Sequence, residues 1–436
     1  MIRRLSITIL LLVFPITVCG STRLTSQATD PASNFGRLLQ GKNYLELEEA
    51  LKKSQHISAS ERDFFTGVLA NRQNHITISL RLLEPILTDP GLRFTPKLEK
   101  FGLETLADDY VKSFRYADAA DTYTRLLHRL GPSLSEGDKK DIQGTLNTFE
   151  LLRRVPVQTI KMEGQFTVPT KRNAVDLIEA PVVVGGTTGY WILDTGANIS
   201  LLTRTKAQQI GLVLSSGTTP MMVFGGRRVQ VHTSVIPVLR IGQAEVRNVA
   251  VLVVEDKDYF IPQMNFQVDA LLGYPVLSAL GRITFYSDGH FGADGKSVAQ
   301  SDTGAEIFME LLTPLVAAGV GKDLRLFAFD SGASDSYFTA RYQRTYKRDF
   351  ANQKLGRVEL AGHPHPLPSY TAKTVTLTFG GVPLTLNDVS VLSQPGGNGL
   401  DYFYGNLGQD IVKSLRSYTL DFRTMRFSVE LPASKQ

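Results

Sequence analysis

The sequence predicts a multidomain α plus β chain, helical in its N-terminal third and built from two similar β-rich lobes beyond it. Three observations carry this expectation. The chain has 436 residues, more than one compact core holds when domains run to roughly 100 to 200 residues. Apolar residues recur at helical spacing as far as Arg154, then in short runs bounded by turn residues after Pro156. An apolar strand that ends in Asp, a hydroxyl residue and Gly occurs twice, at Asp194 and at Asp330. Apolar residues at 42% and charged residues at 20% exclude wholesale disorder and collagen-like or coiled-coil composition.

At the N-terminus, Arg3 and Arg4 precede a continuous apolar stretch over residues 5–18, shorter than the ~18 residues a membrane helix needs. This is the pattern of an export signal, so residues 1–20 are expected to be a signal peptide and the mature protein periplasmic or extracellular. Val18-Cys19-Gly20 suits simple cleavage before Ser21, while Ile16-Thr17-Val18-Cys19 distantly resembles a bacterial lipoprotein box. A lipid anchor at Cys19, giving a membrane-anchored lipoprotein, is therefore the alternative. Loss of Arg3 and Arg4 leaves 45 basic against 42 acidic residues, a formal charge of +3 without a Lys/Arg block, which does not argue for a nucleic-acid partner. Cys19 is the one cysteine, so a mature chain has no intramolecular disulfide, no cysteine zinc site and no cysteine nucleophile.

Residues 34–154 are expected to form the helical domain. Phe64, Phe65, Val68 and Leu69, then Leu80, Leu82, Leu83, Ile86 and Leu87, follow the period of an amphipathic helix. Two stretches superpose at a constant offset, with Gly67, Ser79 and Leu83 falling where Ala107, Ala119 and Tyr123 fall. Small residues let antiparallel helices approach, and the large residue four positions after the second small one fills the gap beside them. Leu106, Ala107, Tyr110, Ala119 and Tyr123, with Pro132 near the stop, resemble the tetratricopeptide (TPR) helix pair. Flanking helices over Tyr44–Lys53 and residues 138–152 would cap it. Such a TPR-like domain either offers a surface to a protein partner or only packs on its neighbour.

Beyond Pro156, Val182-Val183-Val184, residues 190–193 and residues 249–254 read as buried strands. Trp191-Ile192-Leu193 delivers Asp194-Thr195-Gly196-Ala197, and Phe327-Ala328-Phe329 delivers Asp330-Ser331-Gly332-Ala333. Gly273, in Leu271-Leu272-Gly273, follows the first aspartate at the same distance, to within a single position, as Gly408, in Asn406-Leu407-Gly408, follows the second. From there the halves align without a gap: Val276 with Ile411, Leu277 with Val412, Leu280 with Leu415, Thr284 with Thr419. Gly226 and Gly362 lie equally far beyond their respective aspartates. The chain thus carries an internal duplication.

With these motifs the sequence resembles the aspartic peptidases over more than half of its length, from near Ile160 to near Leu431. The Ala after each Gly, and Asn198-Ile199-Ser200-Leu201-Leu202 leading to Ile210-Gly211-Leu212, are more similar to the retroviral-type (retropepsin-like) branch than to the pepsin branch. The resemblance implies an all-β two-lobed fold, a double β-barrel in one chain, with lobes over residues 157–296 and 297–432 and with Asp194 and Asp330 meeting at the floor of the cleft between them. It also implies that Thr195 and Ser331 brace one catalytic loop against the other.

Amide hydrolysis without a metal or a nucleophilic side chain needs a base to take a proton from water and an acid to protonate the carbonyl or leaving group. Two carboxyls sharing one proton meet both needs, a case for which aspartic proteases are the standard example. Gly196 and Gly332 let the loops approach and their N–H groups reach the carboxylates. Ala197 and Ala333 bring no hydroxyl to lower the dyad pKa, which predicts a mildly acidic to near-neutral optimum. Phe224, Gly225 and Gly226, between extended runs, are the candidate flap. The matching stretch Ala361-Gly362-His363-Pro364-His365-Pro366 is expected to be a proline-stiffened loop, since proline cannot donate to a ladder. Asn406 departs from the apolar residue expected there, and its amide requires a partner if buried.

The seven histidines form no His-Glu-x-x-His pair, and Gly295-Lys296-Ser297 lacks the glycine that a phosphate-binding loop requires five residues earlier, so no metal and no cofactor is expected. The expected function is an exported aspartic endopeptidase acting on a peptide or protein substrate. Two alternatives stay open: a catalytically silent peptide-binding module with a helical partner-binding domain, and a processing enzyme whose helical domain blocks its own cleft.

Overall fold

The computed structural model describes residues 31–89, 94–223, 227–295, 304–360, 365–397 and 399–433. The expected signal peptide with Cys19, the candidate flap Phe224, Gly225 and Gly226, and residues 361–364 of the matching loop lie outside the described residues. Contacts divide the chain into two compact units, one ending at Pro156 and one beginning at Val157. The architecture is α plus β.

The first unit runs through α1 (Pro31–Gln40), α2 (Tyr44–Lys53), α3 (Ala59–Arg72), α4 (Ile76–Thr88), α5 (Pro96–Lys112), α6 (Tyr116–Leu130) and α7 (Glu136–Leu152). Starts are set by local chemistry: Ser58 and Glu61 form a reciprocal capping box on α3, while the Thr95 and Ser135 hydroxyls accept the backbone N–H groups of Leu98 and Asp138. The turns within α1–α2, α3–α4 and α5–α6 share one geometry. Each places a residue at positive φ, Lys42, Asn74 and Phe114, and closes with a bond to the carbonyl five residues back, as in His75 to Ala70 at 2.7 Å and Arg115 to Tyr110 at 2.8 Å. Asn74 and Phe114 are separated by the same offset that relates Gly67 to Ala107 in the sequence repeat. A Cβ on Gly67 would stand 2.7 Å from Leu83 Cγ, so the close approach of α3 and α4 depends on that glycine. Tyr116 and Tyr123 stack on Phe149 of α7 at 6.1 and 5.9 Å between ring centroids.

In the second unit, each half weaves two parallel strand pairs into an otherwise antiparallel sheet. In the first half Thr187–Leu193 runs parallel to Ala270–Leu272, and Ser200–Thr203 parallel to Ala244–Val254. In the second half Asp323–Phe329 runs parallel to Gly405–Leu407, and Tyr337–Phe338 parallel to Val382–Leu392. The pairings superpose residue by residue: Leu271 faces Ile192 and Leu201, and Asn406 faces Ala328 and Tyr337. The duplication in the sequence is thus a duplication of strand topology.

The ends of the halves interleave. Gln165–Pro169, His290–Asp294, Arg282–Tyr286, Ser417–Asp421, Arg426–Glu430 and Ala305–Glu310 lie side by side in one continuous antiparallel run. At its centre the duplicate residues Thr284 and Thr419 are direct partners, their hydroxyls 2.8 Å apart, so an approximate two-fold axis passes between them. Phe285 stacks on Tyr418 at 4.8 Å, and Phe329 packs on Tyr418 and Phe427 at 5.1 Å each, so the shared sheet carries an aromatic core directly under the Asp330 loop. Trp191 is fully buried ahead of Asp194.

Each half also pairs the segments that flank the candidate flap and its matching stretch. Thr219–Val223 pairs with Arg227–Val231 over five residues, around the candidate tip. In the second half Gly356–Val358 pairs with Leu367–Ser369 over three, on either side of the stretch expected to be a proline-stiffened loop. Pro368 stands opposite Arg357 within that ladder, and Arg357 Nη2 donates to the Pro366 oxygen at 2.6 Å.

Candidate active site

Each aspartate follows the last residue of a buried strand, and a neighbouring strand fixes its backbone: Asp194 N–H donates to Leu272 O and Asp330 N–H to Leu407 O, both at 2.9 Å. Beyond each aspartate the chain turns sharply, and here the two loops hold each other. Thr195 N–H donates to Ser331 Oγ at 2.9 Å, and Ser331 N–H donates to Thr195 Oγ1 at 3.0 Å. The hydroxyls then donate across the axis, Ser331 Oγ to Leu193 O at 2.7 Å and Thr195 Oγ1 to Phe329 O at 3.3 Å. Four groups are satisfied reciprocally in a region closed to solvent.

The glycines explain why the carboxyls meet. A Cβ on Gly196 would stand 2.6 Å from Asp330 Cγ, and a Cβ on Gly332 would collide with the Asp194 carboxyl. Each glycine is the floor against which the opposite carboxyl lies. Gly196 and Ala197 N–H groups donate to Asp194 Oδ1 at 2.9 and 3.0 Å, and Gly332 N–H to Asp330 Oδ1 at 2.8 Å. Both aspartates are fully buried, and neither Oδ2 accepts a hydrogen bond from the described residues.

Burial is the largest influence on both carboxyls and raises the pKa of each. The charge of Asp330 raises Asp194 further, while backbone N–H groups oppose the rise at both residues. The pair therefore holds a proton well above the ordinary carboxylate range. Ala197 and Ala333 are buried and bring no hydroxyl to the dyad. The arrangement contains one base and one acid in contact, the requirement for moving a proton from water to a carbonyl oxygen.

The structure brings together the predicted residues Asp194, Asp330, Thr195, Gly196, Ser331 and Gly332. Sequence reasoning missed a second layer. Ser200 Oγ accepts Gly273 N–H at 3.0 Å and Ser336 Oγ accepts Gly408 N–H at 2.9 Å, fastening each Leu-Gly strand end to its aspartate loop. Tyr274 N–H donates to Ala197 O at 2.8 Å and Gln409 N–H to Ala333 O at 2.7 Å. Each serine lies six residues beyond its aspartate, a coincidence visible in the duplication. Glycine is required at 273 and 408 because a Cβ would meet the Ala197 and Ala333 carbonyls at 2.7 and 2.8 Å. Gln409 Nε2 also donates to Ser331 O at 2.9 Å, a contact with no signal in the sequence. The phenols of Tyr259 and Tyr418 are both raised by burial, and further by the charge of Asp194 and of Asp330 respectively. Among the described residues no cluster of His, Cys, Asp and Glu is placed to hold a metal ion, and no helix is long and apolar enough to cross a membrane.

The sequence model of the family described as "Aspartyl protease" matches residues 180–276, the part of the first half that contains Asp194, Ser200 and Gly273. The crystal structure of a retropepsin-like aspartic protease from Rickettsia conorii is similar at 18% identity, over 32% of this chain and 95% of that chain, with a TM-score of 0.22. No curated protein matches the chain. The family match supports a protease-like function.

Proposed function

We propose that this chain is an exported aspartic endopeptidase, in which Asp194 and Asp330 hydrolyse peptide bonds through one activated water. The observation that carries the reading is the apposition of two buried carboxyls, each packed on the glycine of the opposite loop, within loops tied by reciprocal Thr195–Ser331 bonds. A structural pair of strand-end aspartates has no need of it. Buried carboxyls in contact cost stability unless they share a proton, and that proton is the one the chemistry uses.

In the reaction, the ionised carboxylate takes a proton from water as the water oxygen bonds to the scissile carbonyl carbon, and the protonated partner gives its proton to the carbonyl oxygen. The tetrahedral diol then collapses. Its C–N bond breaks, the leaving nitrogen takes a proton from the dyad, and one hydroxyl proton of the diol returns to it, so the pair ends with the single proton it began with. The double β-barrel organisation with lobes over residues 157–296 and 297–432, and a flap at Phe224, Gly225 and Gly226 over the peptide, belong to this proposal.

The helical unit is proposed to be TPR-like and to bind a protein partner, supported by the repeated turn geometry and the Gly67–Leu83 approach. Export rests on the basic and apolar residues 3–18, with cleavage before Ser21 or lipidation at Cys19 as its two forms. Cleavage of a diverse peptide library by the protein, lost in Asp194→Asn, tests the enzymatic core; equal slow degradation by both would leave a silent binding module.

A further inference from the structure

The two halves of the site are not chemically alike. Leu271 and Asn406 occupy one topological position, each parallel to the strand that delivers its aspartate and antiparallel to the next. Leu271 presents a hydrocarbon to the Asp194 side. Asn406 presents an amide to the Asp330 side, and it is fully buried, with neither Nδ2 nor Oδ1 in a well-formed hydrogen bond. A leucine would pack there without leaving polar atoms unserved, as it does in the first half. The Asn406 amide lies close enough to the Asp330 carboxyl to favour its ionised form. Backbone donors are unequal, Gly196 and Ala197 at Asp194 against Gly332 at Asp330, so the backbone by itself favours charge on Asp194 and the amide of Asn406 acts against that bias.

We infer that Asn406 is a positioning residue of the dyad: its amide directs the negative charge to Asp330 and leaves the shared proton on Asp194. This rests on the peptidase reading above and deepens it, because it assigns the roles. Asp330 receives the proton of the water, and Asp194 protonates the carbonyl oxygen. The other titratable groups near the pair are the phenols of Tyr259, which the charge of Asp194 raises, and of Tyr418, which the charge of Asp330 raises and that of Arg172 lowers. Both are neutral when their carboxyl ionises, so the amide of Asn406 supplies the polar bias toward Asp330. Gln409 is engaged elsewhere, its Nε2 donating to the Ser331 carbonyl.

The test is the pH dependence of kcat/KM on a cleaved peptide, together with ¹³C-carboxyl titration of the unliganded full chain. Replacing the amide by the residue of the first half, Asn406→Leu, is expected to move the acid limb up by about one pH unit and to abolish the order in which Asp330 ionises first. Leu271→Asn moves the limb down, and the double exchange returns it while reversing the order of ionisation. Asn406→Ala gives the same upward shift if leucine overfills the site. Unchanged limbs and titration order, with only the melting temperature altered, would make Asn406 a structural residue and overturn the inference. If the wild type cleaves nothing that Asp194→Asn fails to cleave, the peptidase reading fails, and the carboxyl titration alone decides the role of Asn406.

Discussion

At the scale of single residues, the site is defined by what is missing. A methyl group at Gly332 has nowhere to go but into the Asp194 carboxyl, and one at Gly196 stands 2.6 Å from Asp330 Cγ. Gly332→Ala should therefore separate the loops, breaking the Thr195–Ser331 exchange. Overpacking of this kind typically costs about 1–3 kcal/mol, so the variant should remain folded at room temperature with peptide cleavage reduced at least about 100-fold, since small displacements of catalytic groups have that effect. Near-wild-type turnover in a folded Gly332→Ala protein would contradict the described apposition. The dyad and its glycines were legible in the sequence because the chemistry requires those residue types and the duplication states them twice. Ser200, Ser336 and Gln409 were not, since their role depends on which carbonyl or N–H a distant strand brings into hydrogen-bonding range, and a hydroxyl or amide in a buried run carries no mark of its partner. Asn406 was recognisable as a departure, but its place beside the strand that delivers Asp330 came only from the fold.

Among the elements, the helices of the first unit were readable from period and small residues, whereas their caps at Ser58, Thr95 and Ser135 came from the structure. What the sequence concealed is an ionic network inside them. Asn71 Nδ2 donates to Asp108 and Asp109 at 2.9 and 2.8 Å, Lys112 pairs with Asp108 at 2.7 Å, and Ser79 donates to Asp109 at 2.5 Å, all of them buried or nearly so. Helical periodicity does not distinguish these polar positions from exposed ones. Burial raises Asp109 to about 7 despite its hydrogen bonds to Ser79 and Asn71. Since its folded pKa lies above the unfolded one, its contribution to stability is present in full below the unfolded value of 3.8 and is lost as pH rises through about 7. The slope is at most about 1.4 kcal/mol per pH unit. Chemical denaturation followed by helical circular dichroism at pH 4.5 and 7.5 should show this loss, and Asp109→Asn should flatten it. An identical slope in the variant would place the titration elsewhere. The strands were legible as apolar runs, whereas their order was not: the interleaving of Arg282–Tyr286 with Ser417–Asp421 arises from pairing between segments far apart in the chain.

Taken as a whole, the second unit is two copies of one topology closed about an axis between Thr284 and Thr419. Either half alone leaves its central strand without the partner on that axis. Residues 157–295 expressed alone should therefore self-associate through Arg282–Tyr286, substituting a second copy for the missing Ser417–Asp421, as an exposed strand edge favours. Sedimentation should report a dimer or larger species; a soluble monomer would contradict the structural dependence of the halves. The same closure brings the two aspartates together, and the enzymatic reading follows from that geometry. Its most direct test is a pH series of peptide-library cleavage by wild type, Asp194→Asn and Asp330→Asn. Burial raises both carboxyls, so the singly protonated pair extends toward neutral pH, and the wild type should cleave best in mildly acidic to near-neutral solution while either asparagine abolishes cleavage. Cleavage that survives both substitutions, or that peaks below about pH 3, would contradict the account.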